Sequence, residues 1–240
     1  MGRRRSLELQ MYDVARASIV ERHTFFVREA KNRLLNQFDD IESEAELYQK
    51  EAWQAAMQAP YYGDEPDMGD IAQGVTDAAA GHYMLLSDMR DQVRLSATAA
   101  MFHQWDKELR EHLDNELRHY LERKWIDKQI WSAKTVDIFG LFEQFGWNVT
   151  HRPFYKLIDA CNLVVNVYKH GKGNALTRLH KDYPQYMSKV GLRSWTGTLY
   201  LDHRWLEVTD SNFDDFAGAF EAFWSEMPDR LVYHFPDDVE

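Results

Sequence analysis

The sequence predicts a mainly α protein: a helical bundle with a small β-hairpin near residues 195–208. Three observations predict it. Across residues 6–59 no proline or glycine interrupts the chain, so nothing there breaks a helix. Phe102, Trp105, Leu109, Leu113, Leu117 and Leu121 step by three or four, the spacing that gathers side chains on one helix face. Only residues 195–208 alternate apolar and polar side chains, which is the period of a strand.

In chain order, residues 6–59 read as two helices, or as one long helix bent near Asp39 and Asp40. Val14, Ala17, Phe25, Leu34, Leu35, Phe38 and Ile41 keep the helical beat. Residues 61–70 hold two glycines, one proline and four acids, a solvated loop. Its acids lack the spacing and the closing glutamate of an EF-hand calcium loop. A second helical tract covers 76–126, with Gly81 expected to set its first turns apart. A shorter helix starts near Thr135 and ends at Gly146, carrying Ile138, Leu141, Phe142 and Phe145.

The next helix is the best bounded. Thr150 is its expected N-cap, Pro153 suits its first turn, and Gly171 suits the left-handed position after its end. Leu157, Cys161, Val164 and Tyr168 form its apolar stripe, widened by Ile158 and Val165. Asp159, Asn162, Asn166 and His170 form a polar one. Asn174 is read as the cap of a short helix to Asp182, stopped by Pro184. In the hairpin Leu199 and Leu201 alternate with polar neighbours, Asp202 and His203 turn, and 205–208 return. Asp210 or Ser211 caps a last helix whose Phe213, Phe216, Phe220 and Phe223 make a packing stripe up to Pro228. The domain reading is a helical arm over 1–60, an acidic loop over 61–75 and a bundle over 76–240, compact as one domain.

Composition narrows the function. The chain has 240 residues, 45% hydrophobic and 14% aromatic, with a net charge of −11. This charge excludes a broad, sequence-independent nucleic-acid surface but leaves room for a local basic patch. Its one cysteine, Cys161, excludes an internal disulfide and a Cys-rich metal site, and its place on an apolar face points to burial. No run is long and apolar enough for a membrane span. The start MGRRRS lacks the apolar stretch of a signal peptide and fits the myristoylation pattern only formally. A soluble, cytoplasmic protein without a membrane partner is expected.

Glu108, His112, Glu116 and His119 share one helix side, and 116–119 has the form Glu-x-x-His. A di-iron bundle needs a second such unit, and none exists. Glu108, Glu111 and Asp114 have the acidic spacing of all-α nucleotide pyrophosphatases, without the paired upstream motif. Phosphate-loop, dinucleotide, serine-nucleophile and zinc-protease signatures are absent from the sequence. No metal and no cofactor is expected.

The remaining candidate is Asn166-Val167-Tyr168-Lys169-His170-Gly171. A helix ending in (R)NxxxHG inside an all-α core resembles the HEPN superfamily, helical proteins of RNA processing and microbial conflict systems, over roughly residues 85–180. The resemblance implies a ribonuclease motif of Arg, a short spacer and His, completed across a homodimer. Asn166 and His170 match it, and Val165 stands where the Arg belongs. His170 is the candidate acid/base, with Asn166 and Lys169 beside it. The cation facing the phosphorane would come from Lys169, Lys172 or Arg178. Arg152 lies eighteen residues away, about 27 Å along a helix, and could act only from a neighbouring subunit. The implied function is a dimeric, catalytically weakened interaction module associated with RNA or a partner protein in a bacterial defence or toxin–antitoxin setting. The alternative is an active, metal-independent ribonuclease. A literal Arg-x6-His also occurs at Arg16 and His23.

Overall fold

The computed structural model describes residues 6–60, 67–188 and 201–235, and 77% of these are helical. In order the elements are β1 (Ser6–Gln10), α1 (Asp13–Arg33), α2 (Ile41–Gln58), α3 (Met68–Leu117) and α4 (Arg123–Ile126). Residues Asp127–Trp131 follow as a π-turn, and then come α5 (Thr135–Gln144), α6 (Tyr155–His170), α7 (Asn174–Asp182), α8 (Asp210–Glu226) and β2 (Arg230–His234). The mainly α class and the small antiparallel pair are both present.

The described strands lie away from the segment expected to hold the pair. β1 and β2 pair antiparallel, Ser6 opposite His234 through Gln10 opposite Arg230, joining segments more than two hundred residues apart. Leu7 and Leu9 alternate with Ser6, Glu8 and Gln10, but five residues are too few to distinguish this from a helix start. The first arm of the expected hairpin falls mainly outside the described residues. From 201 onward, His203–Trp205 form a 3-10 turn, and Leu206 makes a single antiparallel bridge to Met187.

By contacts the chain divides into residues 1–28 with 97–240, and residues 29–96. The boundary thus falls elsewhere than 60 and 76. The loop assigned to 61–75 is helical from Met68 onward, and α3 passes through Gly81 without a break. A single glycine costs a helix about 1 kcal/mol relative to alanine, too little to interrupt one of 50 residues. At its other end α3 stops at Leu117, short of Ile126.

In the larger unit α8 is the centre. Phe213, Phe216, Phe220, Phe223 and Trp224 are fully buried. Around Phe223 lie the rings of Trp105, Phe139, Phe142, Trp147, Phe154 and Trp224, with centroids 5.1–6.2 Å away. Thr209 caps α8 reciprocally with Asn212 (Asn212 N to Thr209 Oγ1 3.2 Å, Thr209 N to Asn212 Oδ1 3.0 Å), one residue before the expected Asp210. At the far end, the Arg16 guanidinium donates to the carbonyls of Trp224 (2.7 Å) and Met227 (2.6 Å) and pairs with Asp229 (2.5 Å). Carbonyls that a helix end leaves unpaired are thereby satisfied. His23 is buried with Nε2 2.9 Å from the Ala217 carbonyl. Arg16 and His23 are therefore structural residues of the α1–α8 contact.

A second anchor ties the segment after α3 back onto it. Arg110 pairs with Asp106 at 2.7 and 3.0 Å and donates to the carbonyls of Ile130 and Ala133, while Thr135 Oγ1 donates to Asp106 at 3.1 Å. Asp114, also buried, accepts from Trp131 (2.9 Å) and Arg123 (3.0 Å). Burial opposes its ionisation, but these hydrogen bonds and the nearby guanidinium charges outweigh it and hold its carboxyl below the ordinary range. Its role is accordingly structural.

His112 sits edge-on to Trp224 at 6.1 Å, with Nε2 buried and unpartnered among the described residues. Burial pushes its pKa down to about 4. The unfolded chain takes up this proton near pH 6.5 and the folded protein only near 4, so stability is lost as pH falls through that window. At about 1.4 kcal/mol per pH unit, the loss is on the order of 3 kcal/mol. Thermal melts of His112→Leu should show a shallower fall in Tm between pH 7 and pH 4.5 than the parent protein. Identical pH profiles for the two would refute this.

Candidate functional site

The expected helix around the candidate motif is present, but it starts later than its cap signals suggest. Thr150 lies in the 3-10 turn Val149–His151 and donates to Glu143. Pro153 disfavours helical backbone at Arg152, which is extended (ψ 147°). The helix therefore begins at Tyr155. Its end matches expectation. Gly171 has φ +68°, and its N–H bonds the Val167 carbonyl at 2.8 Å, a conformation that favours glycine. The short helix after it begins at Asn174 with Gly173 in the cap position, so Asn174 is its first residue and not its cap.

Ile158, Cys161, Val164, Val165 and Val167 are buried. Burial raises the Cys161 thiol well above its ordinary range, leaving it an inert core residue. Tyr168, expected in the apolar stripe, is 37% exposed. Asp159 accepts from Arg178 (3.1 Å) and from the Tyr183 hydroxyl (2.9 Å). Those bonds commit Arg178 to tying α7 onto α6.

The candidate residues part company at the helix end. Asn166 turns back along α6, its amide donating to the carbonyl and side-chain oxygen of Asn162 at 2.8 and 2.9 Å. Lys169 and His170 are exposed and make no hydrogen bond or ion pair with a described residue. Val165, at the position of the motif arginine, is only 3% exposed. A cation at that point of α6 would enter the apolar core instead of a cleft.

Beyond the helix, the structure gathers residues that the motif does not contain. His203 packs its ring over Gly171, close enough that a Cβ there would lie 3.5 Å from it. Asp202, 2% exposed, accepts from the Arg204 backbone N–H (2.9 Å) and guanidinium (3.1 Å). It lies 3.3 Å from His203 Nδ1 and 3.7 Å from Lys172 Nζ. The Arg204 bonds and the adjacent cations hold its carboxyl far below the ordinary carboxylate range. One buried carboxylate thus positions Lys172, His203 and Arg204 around the C-terminal end of α6, just past Lys169 and His170. That end of a helix carries negative partial charge, which favours cationic groups. The sequence signal was the run Asp202-His203-Arg204 between Leu201 and Trp205, which reads equally well as a hairpin turn.

The other polar candidates have separate tasks. Glu108 pairs with Arg22 (3.1 Å), and Glu116 accepts from the Gln10 backbone (2.9 Å). Among the described residues, no three His, Cys, Asp or Glu side chains are placed to hold a metal ion. No described helix is long and apolar enough to cross a membrane. No protein-family model, curated protein or solved structure matches this chain.

The burial of Val165 has a measurable consequence. Val165→Arg restores the letter of the motif but forces a guanidinium among apolar side chains, which costs about 3 kcal/mol or more. Urea unfolding should show that loss, with no gain of RNA cleavage. An undiminished midpoint would mean that the arginine reaches solvent, and that the cleft of the motif is open after all.

Proposed function

We propose that this chain is a HEPN-like, RNA-associated interaction module that works as a cytoplasmic homodimer and cleaves RNA poorly or not at all. By the resemblance, its setting is bacterial defence or a toxin–antitoxin pair. The observation that carries the reading is the α6 terminus. There the motif arginine is replaced by a core valine, Lys169 and His170 stand exposed at the helix end, and just past them Lys172, His203 and Arg204 gather around a single buried carboxylate. Such a cluster on an acidic chain suits contact with a few phosphates at one place rather than the wrapping of a long strand. Pairing two α6 ends across a dimer would double it.

A specific observation favours a second reading, an active metal-independent ribonuclease: a second imidazole, His203, adjoins Gly171 with Nδ1 facing Asp202. In that chemistry one imidazole removes the 2′-hydroxyl proton as the 2′-oxygen bonds to phosphorus. The other protonates the departing 5′-oxygen as its bond to phosphorus breaks, and Lys172 or Lys169 faces the phosphorane charge.

Anisotropy of a labelled single-stranded RNA, titrated with the full chain at several salt concentrations, tests the first reading. Lys169→Ala and Lys172→Ala should each weaken binding and lower the salt slope by about 1. His170→Ala should weaken it while changing stability by less than about 1 kcal/mol, as expected of an exposed side chain. Light scattering should give twice 28.4 kDa. RNA binding unchanged in all three variants would end the proposal. Chelator-resistant cleavage lost in both His170→Ala and His203→Ala would establish the ribonuclease instead.

A further inference from the structure

The net charge of the chain is very unevenly placed. Residues 29–96, the smaller compact unit, hold fourteen acidic and five basic side chains, so this unit carries −9 of the total −11. The rest of the chain is close to neutral. Within the unit α2 and α3 meet at a stacked pair, Tyr48 on His82 with centroids 4.4 Å apart.

Beside that contact runs a groove of about 390 Å³. Ala45, Ala79, Ala80 and Tyr83 supply the apolar part of its lining, and Glu42 and Glu46 line it from α2. Neither glutamate has an ion pair with a described residue. Helical spacing carries the same face of α2 onward from Gln49 to Trp53 and Met57, which are 37% and 46% exposed. From Glu42 to Met57 is fifteen residues, about 22 Å of helix at 1.5 Å each. The result is an apolar track with an aromatic and a methionine at one end and unpaired carboxylates along the other.

We infer that this groove is a docking site for a basic amphipathic helix of a partner protein. The length fits about four helical turns. The small side chains of Ala45, Ala79 and Ala80 in the lining let another helix approach closely, and methionine adapts to varied apolar side chains. Glu42 and Glu46 fit lysines or arginines flanking the apolar stripe of the partner. Charge decides among other occupants. Nucleic acid and anionic lipid are repelled by a unit of −9, and a second copy of the chain would bring the same charge against itself. The inference is independent of the α6 terminus, which lies in the other unit.

The test uses the full-length protein and labelled synthetic peptides about five turns long: a Leu/Lys amphipathic helix, a Leu/Glu helix of the same pattern, and a scrambled Leu/Lys peptide of identical composition without the stripe. The Leu/Lys helix should bind at low salt and weaken as salt rises, and the other two should bind at least about tenfold more weakly. Ala80→Arg puts a bulky cation into the groove lining at an exposed helix position, and Glu42→Lys with Glu46→Lys reverses the charge that α2 presents there. Each should reduce binding by about tenfold or more, with the circular dichroism spectrum unchanged. Equal binding of the scrambled peptide, or undiminished binding by folded Ala80→Arg, would overturn the inference. So would a dimer in light scattering that Ala80→Arg dissociates, since the groove would then belong to a second copy.

Discussion

The packing around Phe223 is the constraint on which the larger unit depends. Its ring meets side chains from α3 (Trp105), α5 (Phe139, Phe142), the turn after α5 (Trp147) and the residue before α6 (Phe154). Aromatic pairs in offset and edge-on geometries add stabilisation to the area they bury, and here five contacts from four separate stretches share one ring. α8 can occupy that position only if its own ends are satisfied. The Thr209–Asn212 cap does this at one end and the Arg16 guanidinium at the other. β1 and β2 flank the same region, pairing the chain just before α1 with the chain just after α8.

The polar anchors follow the same logic of burial with full partnership. Asp106, Arg110 and Thr135 satisfy one another and the carbonyls of Ile130 and Ala133, and Asp114 is held by Trp131 and Arg123. Unpaired, such groups would cost more than they contribute. Asp202 belongs to this class by its burial and differs in its surroundings. Its partners are Lys172, His203 and Arg204, which are half or more exposed or nearly so. A buried carboxylate that holds exposed basic side chains in place is a positioning device, and this sets the α6 terminus apart from the structural networks. It also separates the functions proposed for the two units: cations meet solvent at the end of α6, whereas residues 29–96 are strongly acidic.

Much of this was legible in the sequence because it depends on local spacing. The helical class, the α8 phenylalanine stripe, the end of α5 near Gly146, the Gly171 terminus and the burial of Cys161 all follow from residues three or four apart, or from the backbone freedom of one glycine. The misplaced boundaries have separate causes. Thr150 and Pro153 carry cap signals, but Pro153 also constrains Arg152, and this second effect moved the start of α6 to Tyr155. Gly81 carries a breaker signal too weak to interrupt α3. The position of Val165 on a buried face was likewise readable, since it widened the apolar stripe of its helix.

What only the tertiary structure decided involves partners distant in sequence. Among the described residues neither β1 nor β2 has a pairing edge except the other, so each five-residue segment is a strand only once α1 and α8 have set their ends side by side. Asn166 matches a motif letter by letter, yet its hydrogen bonds run to Asn162 and away from His170. His203 matches no motif, yet it lies against Gly171 because Asp202 is buried behind it. The sequence by itself determined which side chains are apolar and how they repeat, and hence the helices and their buried faces. Which polar groups meet depends on long-range packing, because a hydrogen bond is fixed by distances of about 3 Å that spacing along the chain does not specify.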